Sequence, residues 1–214
     1  MGTIRKGILG GFKGKVGTVV GSSWKGIAYM RGQAQHIKNP RTAGQVYQRE
    51  ALKVLALALK PISSTLNLTF KESANKMSGY NKAVSVNYKE ALVNQDGQPI
   101  VDLSKLILSQ GSLPKGEDFA ITNYIMENDW CCFFFFGTIG GHPYPSSIQI
   151  IYDVDDEKWH TFISPYREDY ECYFMGVMSD DFLESHNYHA WACGYDPATG
   201  KVSDSLYNFM ENHS

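Results

Sequence analysis

From residue 98 to the end of the chain, apolar residues stop recurring at helical spacing and alternate with a period of two. That period sends successive side chains to opposite faces of an extended strand, so the stretch is restricted to β structure. The strand region starts at residues 103–108. It continues through 119–121, 130–136 (WCCFFFF), 148–152, 158–162, 171–178, 188–195 and 202–207. The acidic turn from Asp153 to Glu157 and the Asp196-Pro197-Ala198-Thr199-Gly200 loop separate neighbouring runs. About seven short strands with turn signals between them form the pattern of an immunoglobulin- or fibronectin III-like antiparallel β-sandwich.

The rest of the chain reads differently. Glycines recur at Gly7, Gly10, Gly11, Gly14, Gly17, Gly21, Gly26 and Gly32, with β-prone runs at 16–20 and 24–31. Gly21, Ser22 and Ser23 between those runs read as a hairpin turn. Two strands bury too little to stand alone, so the Gly-rich hairpin is expected to pack on something. Residues 41–93 are helical in pattern. Thr42 fits an N-cap with Gln45 as its capping-box partner, followed by Val46, Leu52, Leu55, Leu59 and Ile62. Pro61 ends or kinks that helix. Leu66, Phe70, Ala74 and Met77 continue a second helical pattern toward Ala83 and Val84, weakened in its middle by Gly79. The expectation is an α+β protein: a basic hairpin plus helical region over residues 1–97, and an acidic, aromatic-rich β-sandwich over 98–214.

A net charge of −2 conceals a strong asymmetry. Residues 1–60 carry +10, residues 61–100 carry +1 and residues 101–214 carry −13. Lys and Arg in the basic part alternate with Gly and apolar residues, which suits a folded basic surface better than a disordered tail. Such a surface attaches to something acidic. The candidates are another copy's acidic region, nucleic-acid phosphates, or the chain's own acidic lobe.

The motifs of familiar chemistry are missing. Gly14-Lys15 is followed by Val16, with no glycine five positions before Gly14, so the phosphate-loop pattern fails. A dinucleotide fingerprint lacks its βαβ setting. GxSxG, HExxH and catalytic Cys-His signatures are absent from the sequence. His186, His189 and Cys193 have ligand-like types, but His189 and Cys193 on one strand stand about 13 Å apart, too far to share a zinc ion. A metal site would need His142, His160 or Cys172 to converge on them. The acid pairs Asp155-Asp156 and Asp180-Asp181 read as solvated turns. Cys131, Cys132, Cys172 and Cys193 are expected as packed free thiols. No apolar run reaches the ~18 residues of a membrane span. The first residues lack the apolar core of a Sec signal, so a cytoplasmic or assembly-associated location is expected. No catalytic residue, metal or cofactor is expected.

Gly10-Gly11-Phe12, Gly14-Lys15-Val16-Gly17, Trp24-Lys25-Gly26, and Asn39-Pro40-Arg41-Thr42 with Gln45, Gln48 and Arg49 resemble the motif set of an uncharacterised family of proteins of about this size, found mainly in Bacteroidota. More loosely, the Gly-rich basic hairpin followed by Asn-Pro-Arg-Thr and a helix is similar to segments of some phage-encoded proteins. That likeness implies a virion or assembly role and no known catalysis. The expected function is thus a non-enzymatic subunit of a homo-oligomer or polymer, with other assembly proteins as further partners. Its basic N-terminal region would meet the acidic C-terminal region of a neighbour. The alternative is a nucleic-acid-binding protein using the same basic region. The interface candidates are Lys13, Lys15, Trp24, Lys25, Tyr29, Arg31, Arg41 and Arg49, because Arg and buried aromatics dominate contact cores.

Overall fold

The computed structural model describes residues 3–4, 11–24, 27–35, 39–116, 119–126, 129–136, 144–167, 172–174 and 186–211. The chain divides into two compact units, Met1–Thr42 and Ala43–Ser214.

In the first unit, β1 (Thr3–Ile4), β2 (Phe12–Val16), β3 (Val19–Trp24) and β4 (Ile27–Gly32) form a four-stranded antiparallel sheet in chain order. The expected hairpin is therefore a longer meander, and its first described turn lies elsewhere. Gly17 and Thr18 connect β2 to β3, with Gly17 at φ +58°. Glycine reaches that conformation without strain, which suits the first position of a tight hairpin turn. Gly21, Ser22 and Ser23, expected as the turn, lie inside β3. Gly21 is paired with Gly14 on one side and Met30 on the other, and a Cβ on it would overlap the Phe12 carbonyl. Glycine at this position marks a close approach of backbones.

The second unit opens with three helices: α1 (Ala43–Leu59), α2 (Ser63–Thr69) and α3 (Gly79–Glu90). α1 begins immediately after Thr42 and stops two residues before Pro61, and α2 turns away from it by 91°. Its core face is Ala51, Leu55 and Leu59; Val46 and Leu52, expected on that face, are exposed. The second helical pattern is two helices, not one. Gly79 does not sit mid-helix: it is the first residue of α3, behind the N-cap Ser78, whose hydroxyl accepts from the Asn81 N–H at 3.2 Å.

A small hairpin follows, β5 (Leu92–Gln95) with β6 (Gln98–Val101), closed by Asp96 and Gly97 at φ 52° and 83°. Residues 103–108, expected to start the strands, are a single 3₁₀ turn (Leu103–Lys105) and then an irregular segment with Leu106 and Leu108 buried.

The remaining strands are β7 (Phe119–Met126), β8 (Asp129–Phe136), β9 (Ser146–Asp153), β10 (Lys158–Arg167), β11 (Cys172–Phe174), β12 (Tyr188–Asp196), β13 (Lys201–Val202) and β14 (Leu206–Met210). Residues 175–178, expected as the end of a strand, lie outside the described residues. The pairing differs from the two facing sheets of a sandwich. The eight strands join in one antiparallel sheet, ordered β13-β12-β9-β10-β11-β8-β7, with β14 also on the outer edge of β12. Ten-residue β10 makes this possible, pairing along residues 158–165 with β9 and at 166–167 with β11.

Helices pack on one face of β9 and β12. Leu55, Leu59, Ile62, Leu66, Phe70 and Ala83 pack with Ile148 and Ile150 of β9, and with Trp191 and Cys193 of β12. The opposite face of β9, with Ser147, Gln149 and Ile151, is buried as well. The sheet curls, so that β14 on one edge comes within 8 Å, Cα to Cα, of β7 on the other. Among the described residues the two strands are not hydrogen-bonded to each other, so the curl brings the edges together without closing a barrel.

Candidate functional site

Register decides which side chains of the N-terminal sheet share a face, because directly paired residues of antiparallel strands point the same way. Lys15 pairs with Val20, and Val20 pairs with Arg31. One row further along, Ser22 pairs with Tyr29. Lys15, Tyr29 and Arg31 thus lie on one face of three adjacent strands, all of them exposed. Lys13 is exposed too, but Gly14 between it and Lys15 has φ +108°, so the strand's alternation does not carry across to it. Ile27, on the same face, is 68% exposed; Met30, on the other, is equally so. Every residue of β4 is exposed. A sheet of this composition with large apolar side chains open on both faces has not buried what normally stabilises a sheet.

Of the other interface candidates, Trp24 is the last residue of β3 and pairs with Ile27, which puts it in the same set of rows; its side chain and Lys25 lie outside the described residues. Arg41 is exposed in the segment before α1, and Arg49 is exposed on α1 in the second unit. The structure therefore unites three of the eight candidates, Lys15, Tyr29 and Arg31, through described side chains, while Arg49 belongs to the other unit.

The acidic part holds a different constellation. The β9–β10 turn carries Asp153, Asp155, Asp156 and Glu157. Asp153 is buried at the end of β9. One of its oxygens accepts from the N–H groups of Asp155 (2.9 Å) and Asp156 (3.1 Å), and the other meets Nδ1 of His186 at 2.8 Å. Asp155 in turn accepts from the Asn187 N–H at 2.8 Å. One donor atom each from Asp153, Asp155 and His186 lies within 4.8 Å of the others. These are types that hold a divalent cation, but both Asp153 oxygens already have protein partners. The arrangement works as a clasp between the β9–β10 turn and the segment leading into β12. The hydrogen bond to Asp153 raises the His186 pKa, and Asp156 and Asp155 add to the effect, while burial opposes it.

A family model matches residues 11–128, more than half of the chain. The chain belongs to a family of unknown function, DUF6266. No curated protein and no solved structure matches it.

The matched DUF6266 segment runs from the glycine before β2 to just past β7, and so includes β2 to β4 of the basic sheet, α1 to α3 and the β5–β6 hairpin. The clasp lies beyond it. From the sequence, Asp155-Asp156 reads as a solvated turn, and His186 is weighed with His189, Cys193, His142, His160 and Cys172 but not with Asp153. Asp153 and His186 are 33 residues apart, and only the pairing of β12 with β9, Tyr188 against Asp153, brings them together. His142 and the side chain of Cys172 lie outside the described residues.

Proposed function

We propose that this DUF6266 protein is a non-enzymatic assembly subunit, joined to other copies through the basic, aromatic face of its N-terminal sheet. The observation that carries this reading is the exposure of Lys15, Tyr29 and Arg31 on one face of three strands beside exposed Ile27, with Lys13 exposed in the same strand as Lys15. Cations around an aromatic and an aliphatic anchor make up the composition of a protein contact. Its counterpart on a neighbour is the acidic turn, where Asp155, Asp156 and Glu157 are exposed. Two different surfaces meeting head to tail give a heterologous contact, which closes into a ring or grows into a filament, as in a virion or another polymer.

The test is sedimentation velocity of the full chain across a salt series. Large species at low salt that dissolve as salt rises support the reading, because exposed ion pairs are screened. The double variant Lys15→Glu/Arg31→Glu should lose them at every salt concentration. A protein that shows no species above a dimer at low salt and high concentration would end this reading.

A second reading rests on the alternation of Tyr29 with Arg31 next to two lysines. A stacking platform flanked by cations also suits single-stranded nucleic acid. It predicts copurifying absorbance at 260 nm, and oligonucleotide binding that falls steeply with salt. The same double variant would abolish that binding.

A further inference from the structure

We infer that the outward face of α1 is a separate interface, which pairs antiparallel with the same face of a second copy about a two-fold axis. This inference does not rest on the sheet-mediated contact.

α1 carries apolar residues on more than one side. Ala51, Leu55 and Leu59 pack into the core. On the opposite side Val46 and Leu57 are 39% and 57% exposed, and Val54 on the flank is 37% exposed. Glu50 and Lys53 are the charges between them, and both are exposed. A helix with apolar residues on both sides is normally covered on both sides.

The pattern of the stripe identifies the occupant. Val46, Glu50, Lys53 and Leu57 are spaced four, three and four apart, the spacing of core positions in a pair of supercoiled helices. The order apolar, charged, charged, apolar is the same in either direction, and the two charges are opposite in sign. With a two-fold axis between Glu50 and Lys53, an antiparallel pair sets Val46 against Leu57 of the other copy and Glu50 against Lys53 of the other copy. A parallel pair would set Glu50 against Glu50 and Lys53 against Lys53, and like charges opposite each other oppose association. An unrelated partner would require no such symmetry of the stripe. Beside it, a groove lined by Glu50, Lys53, Val54, Leu57, Gln98 and Pro99 runs between α1 and the β5–β6 hairpin, where side chains of the second helix can settle. A helix of 17 residues is about 25 Å long. One helix pair of that length falls among weak, concentration-dependent interfaces.

The experiment is sedimentation equilibrium of the full chain at physiological salt, in the Lys15→Glu/Arg31→Glu background so that the sheet contact does not contribute. The expected result is a monomer–dimer equilibrium. Leu57→Asp should raise the dissociation constant about tenfold or more. Glu50→Lys and Lys53→Glu should each weaken the dimer by placing like charges face to face. Together the two changes should return the constant to within about threefold of the parent, since the swap restores both pairs. Circular dichroism checks that each variant is folded, and the charge swap decides even if Leu57→Asp misfolds. Two results would overturn the inference: a parent monomeric up to ~0.5 mM, or a double swap no better than either single change.

Discussion

The side chain of Asn87 holds both backbone polar groups of Ile107. Its Nδ2 donates to the Ile107 carbonyl at 2.7 Å and to the Ala83 carbonyl at 2.9 Å, and its Oδ1 accepts from the Ile107 N–H at 2.7 Å. The segment around Ile107 is neither helix nor strand, yet it runs through the core, so its polar groups must find partners among side chains. Thr69 donates to the Leu108 carbonyl at 2.6 Å, Trp191 donates through Nε1 to the Leu106 carbonyl at 2.9 Å, and the Leu108 N–H donates to Ser205 at 3.2 Å. Helices and sheet are thus joined through one irregular strap. Asn87→Ala strands a buried N–H and a buried C=O, each costing about 1–3 kcal/mol. The variant should lose roughly 3 kcal/mol in urea unfolding. A loss under ~1 kcal/mol would show that the strap does not depend on Asn87.

Gly79 should resist the exchange that usually strengthens a helix. Alanine in place of glycine ordinarily stabilises a helix by up to about 1 kcal/mol. A Cβ at Gly79 would stand 2.7 Å from the Asn67 Cα and 2.7 Å from the Leu66 carbonyl oxygen. Both are backbone atoms of α2, which cannot rotate away, so α2 and α3 would have to part. Gly79→Ala should therefore lower the unfolding midpoint, by an amount equivalent to about 1–3 kcal/mol. A higher midpoint would contradict the close approach of the two helices.

These two residues also mark how far the sequence could be read. The start of α1 after Thr42 and its stop before Pro61 follow from spacing and from proline chemistry. Gly79 was misplaced because Leu66, Phe70, Ala74, Met77 and Ala83 extend one apolar rhythm across a break; the Ser78 cap was the overlooked signal. Asp96-Gly97 is a strong hairpin dipeptide, but it falls between the helical pattern, which ends at 93, and the period-two pattern, which starts at 98, so the β5–β6 hairpin belongs to neither. Gly21 looked like a turn because nothing local distinguishes a glycine that reverses the chain from one that lets Phe12 approach. The period of two found the late strands. It could not show that β10 pairs with both β9 and β11, and so joins one curled sheet. Lys15, Tyr29 and Arg31 share a face because alternation in a strand is local and the register lines the strands up. The Asp153–His186 clasp depends on strands far apart in the chain, and no local pattern encodes it.

Cys193 should be inert while the protein is folded. It is a buried free thiol in β12, packed with the core that includes Ile148 and Trp191. Burial pushes its pKa up to about 12. The thiolate is the reactive form, so alkylation needs both access and a proton loss that the surroundings oppose. Iodoacetamide at neutral pH, followed by peptide mass mapping, should leave Cys193 unmodified in native protein and modify it after denaturation. Labelling of native protein at a rate near that of the unfolded chain would place the thiol at the surface.

The His186 clasp makes a signed prediction about pH. The pKa of His186 is raised above its ordinary 6.5, chiefly by the hydrogen bond to Asp153. The folded state therefore holds this proton more tightly than the unfolded state. The resulting stabilisation is fully present below pH 6.5 and is lost as pH rises through the raised folded value. His189 acts in the opposite direction: burial lowers its pKa, so acidification below about 6.5 penalises the folded state. Comparing wild type with His186→Gln at each pH cancels that contribution, along with those of other groups unaffected by the change. Chemical denaturation from about pH 5.5 to 8.5 should show the wild-type advantage greatest at the acid end and shrinking toward the alkaline end. An advantage that is flat across this range, or that grows with pH, would mean that His186 is not held as a cation by Asp153.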